Sequence, residues 1–506
     1  MTTLLDRYSS RIVGTIGCFD RVVIQGTLPV LCFADGMASI LRARGMKLFD
    51  YPKFAEPFRD QIRANAEALA AEAGIEIEFM RKTTFRKDDR IAEILKAHGD
   101  HPGLVAILSA MEACHTYRPW HDKNTGKTML RPDMGKCLHY YFYFLDPEVG
   151  LCYVRVPTWC PFRLQFYFNG HNQLAIKLRE AGIAFRMMDN AFSQVADIEG
   201  VQKLSDDQDA ARLHALLDRY ATRCCPPVTA LETSYHWSLM QVEYSTDIMF
   251  RRQSDLEPLY DVISRTAIHA VKADNVATFL GRKLDGRYKD EMGNNFSTRI
   301  EGTRIKHSMG PASIKMYDKF GLILRIETTV NDVTFFRHHR TVEQRDGTNV
   351  FKLAPLRKSI YSLGDLRGLL AAANRRYLEF ISALEDPTSG GKALRRITEP
   401  VTVNGRCYRG FNFFSDDDRL LFEAIARGEF NISGMRNKDL HKHLPGKAPA
   451  WISRCLKRLR VHGLIKRVGR TYKHYLTDLG RRAVIGGLKV IQMALVPALA
   501  TAPAVG

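Results

Sequence analysis

Three runs of helical periodicity followed by two short strand-like runs constrain the stretch from Asp416 to Arg482 more tightly than any other part of this chain. Ser415-Asp416-Asp417-Asp418 opens the first run, because short polar side chains satisfy the free N–H groups of a helix start and negative charge favours that end. The cap predicts a helix over 419–429. A second is expected over 437–444, Pro445-Gly446 turns the chain, and a third is expected over 448–462. Spacing turns Ile452, Leu456 and Leu459 of that third helix inward and Arg454, Lys457, Arg458 and Arg460 outward. Gly463 ends it by accepting a left-handed conformation. Residues 464–468 and 472–476 then read as a hairpin around Gly469-Arg470-Thr471, carrying Lys466, Arg467, Arg470 and Lys473.

Helix, helix, basic helix and hairpin in this order read as a winged helix. The string from Trp451 through Leu459, Gly463-Leu464-Ile465 and Tyr475-Leu476-Thr477-Asp478-Leu479-Gly480-Arg481 resembles the winged-helix DNA-binding regulators of the MarR type. The resemblance covers roughly an eighth of the chain. It implies that the third helix enters the major groove of double-stranded DNA. A winged helix used only for protein contacts is the alternative. Charge weighs against it, since 416–482 holds 16 Lys plus Arg and 7 Asp plus Glu, the balance expected of a phosphate-binding surface.

The whole chain of 506 residues carries a formal charge of +19, about twice the excess of that segment, so other parts should also meet nucleic acid. At 45% hydrophobic residues it is globular rather than disordered, long enough for several cores. The 10 cysteines are scattered and Met1 to Arg7 lacks an apolar run, which predicts reduced thiols in a cytoplasmic protein. The apolar tail from Val490 to Gly506 is too short to cross a bilayer and is broken by Pro497 and Pro503, so no membrane association is expected. No Gly-x-x-x-x-Gly-Lys-Ser/Thr loop is present, and no nucleotide cofactor is expected.

Periodicity predicts a multidomain α/β (α+β) protein. Residues 1–227 alternate strand and helix patterns and contain an aromatic hairpin; 228–384 is a strand-rich α+β module. Residues 385–414 read as a linker, because 385–392 are turn formers without apolar period, 415–482 as the winged helix and 483–506 as a flexible tail.

The middle module holds a second informative string, Ile314-Lys315-Met316-Tyr317-Asp318-Lys319, a turn at Phe320-Gly321, then Leu322-Ile323-Leu324-Arg325-Ile326-Glu327. Alternation places Lys315, Tyr317 and Lys319 on one face and sets Tyr317 and Lys319 across from Arg325 and Glu327. Such a face suits a phosphodiester, with Asp318 or Glu327 joining other carboxylates to hold Mg²⁺ or Mn²⁺ through hard oxygen ligands. An exposed face with an internal ion pair is the plainer reading. "IKMYDK" followed by "LRIE" is similar to the rolling-circle replication initiators of small plasmids and filamentous phages. That resemblance spans about thirty residues and implies that Tyr317, Asp318, Lys319, Arg325 and Glu327 lie in or beside a DNA-nicking site. The pattern departs from those proteins in lacking a His-hydrophobic-His pair and a Tyr-x-x-Lys helix, so the nucleophile is unassigned, with Tyr361 and Tyr377 as candidates.

Three further groups carry chemistry. Asp20 and Glu112, at the ends of expected strands, could chelate a metal or be ordinary strand-end residues. Cys137, His139, Cys152 and Cys160 lie on or near one hairpin but match no zinc spacing, and the cysteines read as buried thiols. The aromatic hairpin, with Tyr140, Tyr141, Phe142, Tyr143, Phe144, Tyr153, Trp159, Phe162, Phe166, Tyr167 and Phe168 close to Arg155, Arg163 and Lys136, is core packing or offers one face as a platform for unpaired bases of single-stranded DNA or RNA. The expectation is a DNA-binding protein of the replication or mobile-element kind with metal-dependent nicking or strand transfer. A noncatalytic winged-helix regulator and an RNA-binding protein are the rivals.

Overall fold

The computed structural model describes residues 4–81, 86–99, 101–282, 292–299, 302–385, 387–469 and 471–500. It divides into two compact units, Met1–Ile381 and Ser382–Gly506.

The first unit is built on one eleven-stranded sheet. Its strands are β1 (Ile12–Thr27), β2 (Ile77–Phe79), β3 (Gly103–His121), β4 (Thr128–Asp146), β5 (Gly150–Pro157) and β6 (Leu164–Phe168), followed by β9 (His236–Phe250), β10 (Met292–Arg299), β11 (Gly302–Met309), β12 (Ala312–Lys319) and β13 (Ile323–Val330). A separate hairpin, β7 (Phe185–Met188) and β8 (Ala191–Val195), lies between β6 and β9 in the chain. The order across the sheet is β10-β11-β12-β13-β9-β1-β6-β5-β4-β3-β2, antiparallel throughout except for β2 against β3. The unit is therefore mixed α and β around one large sheet.

Burial explains the two faces. Every residue of β13 is buried, as expected of a strand covered on both sides. Its even positions, Leu324 and Ile326, join Val22, Ile24 and Val242 in the main core, under the helices Tyr51–Ala73, Gln253–Ala270 and Leu363–Glu385. On the opposite face two smaller clusters form. One packs Leu174 and Leu178 of the helix Gly170–Glu180 and Phe192 of β8 onto Ile16, Cys18 and Ile323. The other packs Ile91 of the helix Lys87–His98 onto Leu108, Tyr141 and Tyr153.

This topology corrects the boundary expected at 227/228. β9 begins after it and pairs along its whole length with β1, so residues on both sides share one sheet and one core. Sequence-distant pairing of this kind leaves no local signal.

In the second unit the helix Asp416–Ile425 is followed by short helices Gly428–Ser433 and Asn437–His441, the helix Pro449–Val461, a hairpin of Ile465–Arg467 with His474–Leu476, and the helix Asp478–Val490. Leu421, Phe422, Leu440, Ile452, Leu459 and Val484 form its core. Gly463 takes φ 73°, as expected of a helix end. Three expectations change. The helix placed over 419–429 starts earlier and breaks after Ile425, and Ser415 makes no side-chain cap. The 385–414 stretch is not a linker: it forms the helix Pro387–Thr398 and a hairpin of Val401–Val403 with Arg406–Tyr408, and Ile397 and Phe411 are buried with the core. The tail expected from 483 continues the helix Asp478–Val490, held by buried Val484, and stays helical through Ile491–Leu495 and Val496–Ala500. Among the described residues no helix is long and apolar enough to cross a membrane.

Candidate metal centre on the central strands

Strand alternation sends Lys315, Tyr317 and Lys319 of β12, Arg325, Glu327 and Thr329 of β13, and Glu243, Ser245 and Asp247 of β9 to the face opposite the main core. The register pairs Lys315 with Glu327 and Glu327 with Ser245, and pairs Tyr317 with Arg325 and Arg325 with Asp247. Asp20 joins them through an irregularity. Phe19 pairs with Tyr244 and Arg21 with Glu243, leaving Asp20 as the extra residue of a β-bulge. Bulges re-aim a side chain that regular alternation would send elsewhere.

Asp20, Glu243 and Glu327 thus come from three adjacent strands, and one oxygen of each lies within 4.8 Å of the others. Among the described residues they are the group of His, Cys, Asp or Glu side chains placed to hold a metal ion. Three hard carboxylate oxygens suit Mg²⁺ or Mn²⁺. Lys315 extends between two of them, its Nζ 2.5 Å from Glu327 Oε1 and 3.2 Å from Glu243 Oε1. Tyr317 Oη donates to Glu327 Oε2 at 2.7 Å, and Thr329 Oγ1 donates to Glu243 Oε1 at 3.0 Å.

Behind the carboxylates lies a buried polar support. Arg325 is fully buried and donates to both oxygens of Asp247 at 2.6 Å and to the Asn190 carbonyl at 2.7 Å; its Nη1 stands 3.4 Å from Asp20. His171, near the start of the helix Gly170–Glu180, places Nδ1 3.1 Å from Asp20 and Nε2 3.5 Å from Asp247. Asn190, in the turn between β7 and β8, donates to Asp20 at 2.5 Å. Lys319 bonds Asp189 at 3.0 Å and also Asn190.

The charges do not cancel evenly. Burial alone would raise Asp20 and Asp247, but the Arg325 guanidinium and His171 hold both below the ordinary carboxylate range. Glu243 goes the other way: burial and the neighbouring Glu327 charge raise it despite Lys315. Burial and the Glu327 charge also hold the Tyr317 phenol well above its usual value, so it stays protonated and serves as a donor. Lys315 is held cationic, burial being outweighed by Glu327 and Glu243. Burial and Arg325 lower Lys319 despite Asp189.

Several expected residues fall elsewhere. Asp318, expected beside Glu327 as a ligand, lies on the other face of β12, toward Tyr260, because successive residues of a strand point to opposite sides. The connection from β12 to β13 has three residues, not two, since Lys319 pairs with Ile323; Glu327 therefore lies directly across from Lys315 and reaches Tyr317 diagonally. Glu112 is bound by Lys87, Tyr141 and Arg155 on β3 rather than by the cluster. Tyr377 is buried against His307 in the main core, and exposed Tyr361 bonds His214. Neither adjoins the carboxylates. Sequence reasoning missed Glu243, Asp247 and His171. The first two were findable as odd positions alternating with Val242, Tyr244 and Ile248.

In the second unit, Arg454 and Lys457 on the helix Pro449–Val461 and Lys466 and Arg467 on the hairpin are exposed; Arg460 and Lys473 are half-buried. Arg467 also donates to the Thr471 carbonyl at 2.6 Å. Arg470 lies outside the described residues. Arg458 is not an outward contact. It is 8% exposed, donates to both oxygens of Asp418 at 2.7 and 2.9 Å and to the Arg409 carbonyl at 3.0 Å, and sits 3.8 Å from the Phe411 ring centroid. Cys455 and His462, one turn either side, are buried with it.

A comparison with models of known protein families gives no match, and neither does a comparison with curated proteins.

Proposed function

We propose that this chain is a cytoplasmic DNA-binding enzyme that cuts or transfers a phosphodiester at a divalent-metal centre on Asp20, Glu243 and Glu327. The observation that carries the reading is the convergence of three carboxylates within 4.8 Å, one of them raised by burial and by its neighbour's charge. Three carboxylates gathered at that depth offer hard oxygen ligands to a divalent cation at the place where the Lys315 ammonium now bridges two of them. When bound, Mg²⁺ or Mn²⁺ supplies charge neutralisation for the phosphate and a more acidic water. The chain's own residues do the rest. Arg325, His171 and Asn190 hold Asp20 in place, Tyr317 fixes Glu327, and the Lys315 ammonium stands where it can meet a phosphate oxygen.

The second unit is proposed to act as a winged helix on double-stranded DNA. The order of its helices, the hairpin Ile465–Arg467 with His474–Leu476, and exposed Arg454 and Lys457 support this part.

One contact favours a second reading. Lys315 bridges Glu243 and Glu327 without any metal, and buried ion-pair networks also occur as structural elements; the protein would then be a noncatalytic DNA-binding regulator. Calorimetric titration of the full chain with Mn²⁺ separates the two. The enzyme reading expects saturable binding that Asp20→Asn abolishes; heats no different from buffer would leave the regulator.

A further inference from the structure

The face that carries the carboxylates continues across β1, β6, β5 and β4 into a cleft of about 710 Å³. Arg21 is common to both: it follows Asp20, pairs across strands with Glu243, and forms one wall of the cleft. The volume lies within the range of about 300–1,000 Å³ typical of small-ligand sites.

Tyrosines line the cleft on three successive strands: Tyr167 on β6, Tyr153 on β5, and Tyr141 and Tyr143 on β4. Tyr153 and Tyr167 stack with centroids 5.0 Å apart and planes at 25°, and Tyr143 and Tyr153 follow at 5.4 Å. The Arg21 guanidinium lies 4.9 Å from the Tyr167 centroid and Lys87 Nζ lies 3.9 Å from that of Tyr141.

Alternation on the same strands separates the core-facing rings from those turned to the cleft. Phe142 and Phe144 of β4, with Tyr140, and Phe166 and Phe168 of β6 point into the main core. Their neighbours Tyr141, Tyr143 and Tyr167, turned to the cleft, all carry hydroxyls. Tyr141 uses its hydroxyl on Glu112, whereas those of Tyr143, Tyr153 and Tyr167 bond no other described residue. Tyr141, Tyr143 and Tyr153 are buried in the floor of the cleft and Tyr167 is half-buried at its wall beside Arg21, so a nucleobase would meet chiefly the Tyr167 ring and its phosphate the Arg21 guanidinium.

We propose that this cleft takes one unpaired nucleotide of a DNA strand, its base against Tyr167 and its phosphate at Arg21, beside the carboxylates. The proposal deepens the phosphodiester reading and rests on it for the choice of ligand. A strand lodged here presents its backbone at the one boundary that cleft and metal centre share. Enzymes that act on single strands or extruded bases use aromatic pockets next to the reacting centre in this way.

The test is fluorescence anisotropy of a short labelled oligothymidylate with the full chain in EDTA, so that no cleavage enters. Arg21→Gln and Tyr167→Leu should each weaken strand binding about ten-fold, the size of one stacking or phosphate interaction, while blunt-duplex binding stays unchanged. Arg21 is half-buried on the cleft wall, so Arg21→Gln decides the matter if Tyr167→Leu fails to fold. No strand binding by the parent, or parental affinity in folded Arg21→Gln, would overturn the proposal. Displacement of the oligonucleotide by an equal concentration of thymidine monophosphate would overturn it in favour of a free nucleotide. A parent that binds the strand through Arg21 yet never cuts DNA with Mn²⁺ would sink the metal centre and leave the cleft standing; cutting without any effect of Arg21→Gln on strand affinity would do the reverse.

Discussion

Arg325 and Asp247 lie directly opposite each other on adjacent central strands and share two hydrogen bonds of 2.6 Å, both side chains buried. The pair anchors the face on which the carboxylates gather. Asp247→Ala would leave a guanidinium buried with only part of its charge answered by Asp20, a loss on the order of 3–5 kcal/mol. Scanning calorimetry should show the transition of the first unit falling by several degrees while that of the second unit holds. Unchanged melting would mean that the pair supports little.

Titration of the carboxylates gives opposite signs. Asp20 and Asp247 are lowered in the folded protein, so their contribution is present above the unfolded value of 3.8 and is lost as pH falls through their folded values. Glu243 is raised, so its contribution is full below the unfolded value of 4.5 and is lost as pH rises through its folded value. Glu243→Gln should therefore raise the melting temperature at pH 7.5 and change it little at pH 4. Mn²⁺ should stabilise the parent at pH 7.5 and not the variant. Equal pH profiles for the two proteins would contradict a Glu243 carboxyl held above its ordinary value by burial and the Glu327 charge.

Arg458 and its neighbours on the helix Pro449–Val461 should separate cleanly. Arg458→Ala strands buried Asp418 and should destabilise the second unit by about 3–5 kcal/mol. Arg454→Ala and Lys457→Ala should leave stability within about 0.5 kcal/mol and, where either touches a base, cost about 1–3 kcal/mol of sequence discrimination. Melting curves and duplex competition read both outcomes, and a stable Arg458→Ala protein with impaired DNA reading would reverse the assignment.

Removing Lys466 or Lys473 should weaken all duplexes alike and lower the slope of log affinity against log salt by about 0.9 for each phosphate no longer neutralised. A sequence-selective effect, or an unaltered slope, would move these residues out of the backbone-binding role.

Local alternation makes half of the site legible. Lys315, Tyr317, Arg325 and Glu327 share a face because a strand has period two, and that period is written in "IKMYDK" and "LRIE". Asp20 stands out in the sequence without its partner, because its direction depends on a bulge that only pairing with β9 creates. Glu243 lies more than two hundred residues from Asp20, and nothing local couples them. Asp318 is misplaced when neighbours on a strand are treated as neighbours in space. Arg458 is misplaced when charge is read before position: its helical spacing from Cys455 and His462 puts it on their buried side. The linker expected before the winged helix fails for a related reason, since the turn formers of 387–392 begin a helix whose Ile397 reaches a core.

Cleavage of labelled DNA by the full chain with Mn²⁺, beside a Glu327→Gln variant, tests the central claim most directly. Gln keeps the volume of Glu327 and an acceptor for Tyr317 but removes the charge a hard cation needs. The account predicts divalent-dependent cutting by the parent, reduced about a hundred-fold or more in the variant, with duplex affinity and melting temperature little changed. A parent that cuts neither duplex nor single-stranded DNA with Mg²⁺ or Mn²⁺, or a variant that cuts as fast as the parent, would contradict it.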